Sequence, residues 1–276
     1  MNVTAAGEDR LGALGELVVV KGDDGSQVVV ALHGGHVVSW RARGREQLFL
    51  STRATVDNGS AIRGGIPVCF PQFAGLGPLP KHGFARTATW EHFGGSRFVL
   101  FAGPSKWAGW PHACRLTLDV LLGPSTLTCV LTVENIGTDA FAFTGALHTY
   151  LSCDDVRNVS ISGLDGCSVH TGGTVVGDVG FGDGVSDVDM SVLSAPGAVV
   201  ASGLIQGNSQ ARAVCAQTGF GDVVVWNVGR ELGARMSDLG DGEWKSYVCI
   251  EAVTVRTPTV LACTESWRGS QTILAM

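Results

Sequence analysis

Arg115-Leu-Thr-Leu-Asp-Val-Leu-Leu-Gly-Pro-Ser-Thr-Leu-Thr-Cys-Val-Leu-Thr-Val133 alternates apolar and polar side chains on both sides of a Gly123-Pro124-Ser125 interruption. Leu116, Leu118 and Val120 share one face of the first half, and Leu127, Cys129, Leu131 and Val133 share one face of the second. That period of two belongs to extended strands. The short break between them predicts a hairpin connection, so the stretch reads as two antiparallel strands.

The same pattern recurs along the chain, at 16–20, 27–32, 36–40, 97–101, 141–147, 222–227, 246–252 and 259–266. Nothing sustains a helical period over three turns. Glycines, 39 of them, punctuate the runs at the spacing expected of sandwiches and barrels. The Gly-rich piece Gly177-Asp-Val-Gly-Phe-Gly-Asp-Gly184 reads as a loop between strands, without the strand and helix that a phosphate-cradling loop requires. The expectation is an all-β fold, a large antiparallel sandwich, forming one domain over residues 1–276.

Composition narrows the function. A hydrophobic fraction of 45% against 16% charged residues supplies a large core and excludes a disordered chain. The net charge is −6 and no run of Lys and Arg occurs, which excludes nucleic acid as a partner. Apolar runs such as 28–32 and 116–122 are too short to span a bilayer, and the N-terminus lacks a basic-then-apolar leader. A cytoplasmic protein with no membrane partner is expected, and a monomer is the default. The eight cysteines are scattered without a C-x-x-C pair, so they read as buried free thiols.

One segment departs from this regular pattern. Between Ala61 and Trp90 lie four of the nine prolines and three cations, Arg63, Lys81 and Arg86, with no Asp or Glu. In an acidic protein this is a local cationic patch on a restricted backbone. Arg grips a phosphate bidentately and Lys adds a point charge, so the patch is a candidate anion site; arginines lying over apolar surface are the alternative. His33-Gly-Gly-His36 reads as a turn between strands, because two histidines without acidic or thiolate partners do not close a metal site. Trp40, Trp90, Trp226 and Trp267 are candidates for a sugar-stacking platform, with Trp40 and Trp90 assigned to the core.

The string Ile62-Arg-Gly-Gly-Ile-Pro-Val-Cys-Phe-Pro-Gln72, then Pro80-Lys-His-Gly-Phe-Ala-Arg86, resembles the aldose 1-epimerase family in its glucose-6-phosphate 1-epimerase (hexose-6-phosphate mutarotase) branch. Further matches follow in family order: Gly35-His-Val-Val-Ser-Trp40, Leu147-His-Thr-Tyr150, Gly163-Leu-Asp-Gly166, Val225-Trp-Asn227, Val248-Cys-Ile-Glu-Ala252 and Glu265-Ser-Trp-Arg-Gly-Ser-Gln271. The resemblance implies an antiparallel β-supersandwich of the galactose mutarotase-like kind, with a shallow site that uses no metal and no organic cofactor. It implies His148 as catalytic acid and Glu251 as catalytic base. It places Arg63, Lys81, His82, Arg86 and Asp189 against the substrate, a small hexose 6-phosphate. Position 81, commonly Gln in the family, is Lys here, which strengthens an anion contact. Asp189 is followed by Met-Ser-Val where the family commonly has Arg and Tyr.

Anomer exchange needs a proton taken from the C1 hydroxyl while another reaches the ring oxygen. A carboxylate and an imidazole supply both, with a gain of roughly 10² to 10⁴-fold. His148 is expected to start protonated and Glu251 ionised, each favouring that state in the other. Two rival readings share parts of this site. An epimerase of free hexoses keeps the acid and base but has no use for the cations, and a carbohydrate-binding module on the same fold needs neither.

Overall fold

The hairpin lies where the alternation predicts it. Cys114–Gly123 and Thr126–Asn135 pair antiparallel along their whole length, with Cys114 opposite Asn135 and Gly123 opposite Thr126. The computed structural model describes residues 11–104, 106–205, 208 and 211–276; the first ten residues, read above for a leader, lie outside them.

Three sheets contain the strands, and every ladder between them is antiparallel. A nine-stranded sheet holds the hairpin together with Arg97–Ala102, Arg212–Thr218 and Ser266–Ala275. A seven-stranded sheet holds Val68–Cys69, Phe141–Leu147, Tyr150–Ser152, Val188–Leu193, Asp222–Asn227 and Tyr247–Leu261, with short Ser168–Val169 at its edge. Leu17–Lys21, Gln27–Ala31, His36–Ala42 and Arg45–Glu46 form the third. A one-turn helix, Gly229–Gly233, follows Asp222–Asn227. No helix among the described residues is long and apolar enough to cross a membrane.

Alternation decides what each face does. In Tyr247–Leu261, Val248, Ile250 and Ala252 enter the main core with Val223, Val225 and Leu147 of neighbouring strands. They meet Leu116, Leu118 and Leu131 of the nine-stranded sheet and Val28 and Val30 of the smallest one. Trp40 and Trp90 are fully buried in this core, as expected. Cys249, Glu251 and Val253 are thereby turned to the opposite face.

Four expectations need correction. The run 259–266 is not a strand: Tyr247–Leu261 ends within it and Ser266–Ala275 begins at its end. The turn between them lacks Gly and Pro and is built instead by the Glu265 carboxylate, which accepts a hydrogen bond from the Ala262 N–H at 2.8 Å, with Thr264 at φ 66°. The Gly-rich loop 177–184 contains a short strand, Val179–Gly180, paired with Ser160–Ser162. All eight cysteines are free, but Cys263 is exposed and Cys167 half-buried rather than packed in the core. Trp267 meets Phe143 and Phe220 edge-on and is no part of a sugar platform.

Candidate active site

Glu251 stands on the face of its strand opposite the core, directly across from Val224, with Cys249 two residues before it opposite Trp226 and Tyr150. His148 sits in the break between Phe141–Leu147 and Tyr150–Ser152. Both sides of that break are tied down. The His148 N–H donates to the Pro67 carbonyl (3.0 Å), the Tyr150 N–H to the Gly65 carbonyl (2.9 Å), and the Ile250 N–H to the Thr149 carbonyl (3.1 Å). Beneath it, the Thr149 hydroxyl donates to Gln271 Oε1, and Gln271 Nε2 donates to the Ile250 carbonyl. The imidazole is thus fixed to the strand that carries Glu251, and its Nδ1 lies 3.3 Å from Glu251 Oε1.

The proline-rich segment folds over this pair. Gly83, at φ 69°, allows the close approach: a Cβ there would stand 2.1 Å from the Phe70 carbonyl oxygen. His82 beside it is also left-handed, at φ 66°, and its ring meets His148 edge-on with centroids 5.4 Å apart. His82 Nδ1 accepts the Ala74 N–H at 3.2 Å, which assigns its proton to Nε2. Burial, with the charges of Arg86, Lys81 and Arg63, pushes the His82 pKa down to about 3, so it is a neutral donor at working pH.

All seven residues singled out in the sequence meet in one cleft of about 450 Å³: Arg63, Lys81, His82, Arg86, His148, Asp189 and Glu251. They do not all arrive free. Arg63 donates from Nε and one Nη to Asp238 Oδ2 (3.1 and 2.9 Å), and from its other Nη to the Tyr150 hydroxyl (2.8 Å). Its charge is matched by an acid far away in sequence. Lys81, Arg86 and Arg235 line the same cleft, and none of them is in an ion pair among the described residues. One Arg86 Nη donates to the Lys81 carbonyl at 2.8 Å, which places both on one turn of the segment.

Arg235 was missed by sequence reasoning. So were Leu232, within the short helix, and Met236, just after it; both line the cleft wall and carry no local motif. Trp226 does line the cleft and meets the His148 ring edge-on at 5.8 Å. Asp189 is exposed at the edge of the cleft; partial desolvation of its carboxyl, followed by the neighbouring charge of Asp187, raises its pKa, with Lys81 acting the other way.

The charge state of the central pair is the reverse of the expectation. Burial, reinforced by His82, Arg63 and Arg86, holds His148 well below the usual histidine range. Burial and the charge of Asp189 hold Glu251 well above the usual carboxylate range, with Lys81 opposing. Burial thus disfavours both the imidazolium and the carboxylate. Desolvation of two separate charges outweighs the attraction that the sequence reading relied on.

Two buried carboxylates differ in how their burial is compensated. Asp222 is 4% exposed and accepts N–H bonds from Ser194, Val255 and Arg256, so its burial is compensated. Glu251 is 1% exposed and its Oε2 has no hydrogen-bond partner in the protein. His148 Nδ1 is likewise unpartnered, since its approach to Glu251 is close but not aligned as a hydrogen bond. Unsatisfied buried groups of this kind mark a site built for something else to bind.

A second hollow of about 440 Å³ lies against the smallest sheet, so volume alone does not choose between them. Its half-buried acid, Glu46, accepts hydrogen bonds from the Ser39 hydroxyl and the Trp40 and Leu48 N–H groups. His33 and His36 do not converge: their Nε2 atoms contact the separate carbonyls of Ser60 and Gly64, each at 2.7 Å.

The family model described as aldose 1-epimerase matches residues 16–274. A protein of Cenchrus ciliaris named "Putative glucose-6-phosphate 1-epimerase" is 34% identical over 92% of this chain and 83% of its own. One of the same name from Escherichia coli (strain K12) is 34% identical, covering 80% of this chain and 77% of its own. A crystal structure of "a putative mutarotase" from Salmonella typhimurium superposes with a TM-score of 0.81 at 28% identity, over 94% of this chain and 90% of that one.

Proposed function

The chain belongs to the aldose 1-epimerase family, and from that footing we propose that it is an isomerase interconverting the α and β anomers of a hexose 6-phosphate, glucose 6-phosphate first among them. One observation carries the reading. Two buried groups of opposite acid–base type, His148 and Glu251, stand 3.3 Å apart and line one cleft.

The reaction uses both groups. With the sugar bound, Glu251 as carboxylate takes the C1 hydroxyl proton while the His148 imidazolium gives its proton to the ring oxygen. The C1–ring oxygen bond breaks and C1 becomes an aldehyde. At that stage His148 is neutral and Glu251 protonated, the uncharged forms that burial favours. The desolvated site therefore stabilises the open-chain stage, which is the purpose of burying the pair. Rotation about C1–C2 and the reverse transfers give the other anomer. Neither a metal nor an organic cofactor enters these steps.

Lys81, Arg86 and Arg235 account for the phosphate. Three cations free of acidic partners suit a dianion and have no role toward a neutral sugar. His82 and Asp189 are the groups proposed for the sugar hydroxyls, one as a neutral donor and one as an acceptor. Arg63 lines the cleft but is engaged by Asp238 and Tyr150, so its part is to hold Tyr150 in place. A cytoplasmic monomer acting on a small molecule, without nucleic acid or membrane, is the setting proposed with it.

The test is magnetisation exchange by NMR between the anomers of glucose 6-phosphate, with glucose run in parallel. Exchange of the phosphate ester alone is expected. Exchange of glucose alone would move the chain to a free-hexose epimerase, and exchange of neither would leave a sugar-binding module.

A further inference from the structure

The buried thiol next to the proposed acid–base pair takes no part in the reaction. Cys249 lies on the same strand and the same face as Glu251, fully buried, opposite Trp226 and Tyr150. Its Sγ, a carboxylate oxygen of Glu251 and a ring nitrogen of His148 all lie within 4.8 Å of one another. Three atoms so placed surround a point no more than about 2.8 Å from each. Zinc bonds are about 2.0 to 2.3 Å, so closing on an ion needs a shift of roughly half an ångström.

We propose that His148, Cys249 and Glu251 form an inhibitory site for a zinc-class divalent cation. Three observations support it together. The donor set is one imidazole, one thiolate and one carboxylate, which selects zinc, cobalt or cadmium over magnesium and calcium. A thiolate and a carboxylate cancel the charge of a dication, so the bound site is neutral where it is buried. His148 Nδ1 and Glu251 Oε2 are buried with no partner in the protein, and both residues line the cleft from which an ion would enter.

Binding releases the thiol proton to solvent, so affinity rises with pH. An ion held there takes both the acid and the base out of use, and inhibition is competitive with the sugar. The proposal rests on the three donor atoms and not on which sugar the cleft accepts.

The experiment uses chelator-treated full-length protein titrated with cobalt(II) chloride, followed by absorption, and then by displacement with zinc chloride. One equivalent of cobalt is expected to give a thiolate-to-metal charge-transfer band in the near ultraviolet and the intense visible bands of a four-coordinate ion. Cys249→Ala should lose the charge-transfer band and weaken zinc binding by tenfold or more, and Cys263→Ser should change neither. Glu251→Gln should retain the band but weaken the ion by a similar factor, which serves if the alanine variant fails to fold. Zinc, and not magnesium at the same concentration, should abolish anomer exchange, with protection by excess glucose 6-phosphate. Absence of a charge-transfer band in the unmodified protein, its loss in Cys263→Ser, or zinc affinity unchanged in Cys249→Ala would each overturn the proposal. Because the cobalt spectrum needs no turnover, its outcome stands whether or not the protein exchanges anomers.

Discussion

The phenol ring of Tyr150 lies flat against the His148 imidazole, with centroids 4.9 Å apart and planes 8° from parallel, while its hydroxyl accepts a hydrogen bond from Arg63. Trp226 closes the other direction edge-on to both rings. The imidazole is therefore oriented by stacked aromatic surface, and Arg63 acts on it through Tyr150.

Tyr150→Phe keeps the stacked ring and removes only the Arg63 contact. A fall in kcat of roughly threefold is expected, with KM little changed; Tyr150→Leu, which removes the stack, should cost roughly tenfold or more. Saturation kinetics from anomer exchange read both. Equal rates for the leucine variant and the parent would mean that the stack does not orient His148.

Glu251→Gln should lower turnover by roughly 10² to 10⁴-fold while glucose 6-phosphate still binds. It should also stabilise the fold at alkaline pH. Glu251 has a folded pKa raised above its ordinary 4.5, so over the pH range between the two values the native state holds a proton that the unfolded chain has lost. Its contribution is present below about pH 4.5 and is lost as pH rises through the raised value. Thermal unfolding at pH 6 and pH 9 checks this: the gap between variant and parent should widen at the higher pH. A variant less stable than the parent at pH 9 would contradict the burial argument.

The pH profile of kcat should have two limbs. His148 is held below its ordinary 6.5, so the acid limb, where the pair takes up a second proton, falls below that value. Glu251 is held above its ordinary 4.5, so the alkaline limb, where the last proton is lost, lies above that value. His148 stability runs with the opposite sign to that of Glu251, being lost as pH falls below 6.5. The measurement is made at saturating sugar, because a phosphate monoester itself titrates near pH 6. An acid limb centred above 6.5 would be incompatible with a buried, neutral imidazole.

Arg86→Ala and Arg235→Ala should each raise KM for glucose 6-phosphate by roughly tenfold, an effect of charge-assisted contacts that shrinks in high salt. Any residual exchange of glucose should be untouched. Lys81→Gln should be milder. Arg63→Ala should behave differently, lowering kcat more than it raises KM, because its guanidinium faces Asp238 and Tyr150. Identical KM effects in all four variants would place Arg63 on the phosphate after all.

Gly83→Ala should destabilise the protein by roughly 2 kcal/mol or more, since it combines a left-handed backbone with a contact that only glycine permits. The Cβ would stand 2.1 Å from the Phe70 carbonyl oxygen, and neither group is a flexible side chain. Differential scanning fluorimetry reads the loss. An unchanged midpoint would mean that the segment carrying His82 can move aside freely.

Much of the fold was legible where alternation and turn residues agree. The hairpin at 115–133 and the strands at 141–147 and 222–227 lie where the pattern puts them. The failure at 259–266 has a physical cause: the turn uses the Glu265 carboxylate and a left-handed Thr264 in place of Gly or Pro. Val188–Leu193, which carries Asp189, is a strand that the sequence reading passed over although Val188, Met190 and Val192 alternate with Asp189 and Ser191. The seven site residues were found through motif resemblance, and the structure brings all of them to one cleft. Arg235 and Asp238 escaped because neither belongs to a motif.

The sequence by itself determined which face Glu251 occupies, because the period of two turns Val248, Ile250 and Ala252 to the core and leaves Glu251 on the other side. It also determined that cations gather between Ala61 and Trp90. Only the tertiary structure decided what those charges do. Asp238 pairs with Arg63, Arg235 joins Lys81 and Arg86 along the cleft, and burial disfavours the charged forms of both His148 and Glu251. Local pattern fixes the direction of a side chain, but its charge state depends on the water it loses and the distant groups it meets, and those exist only once the sheets have closed over it.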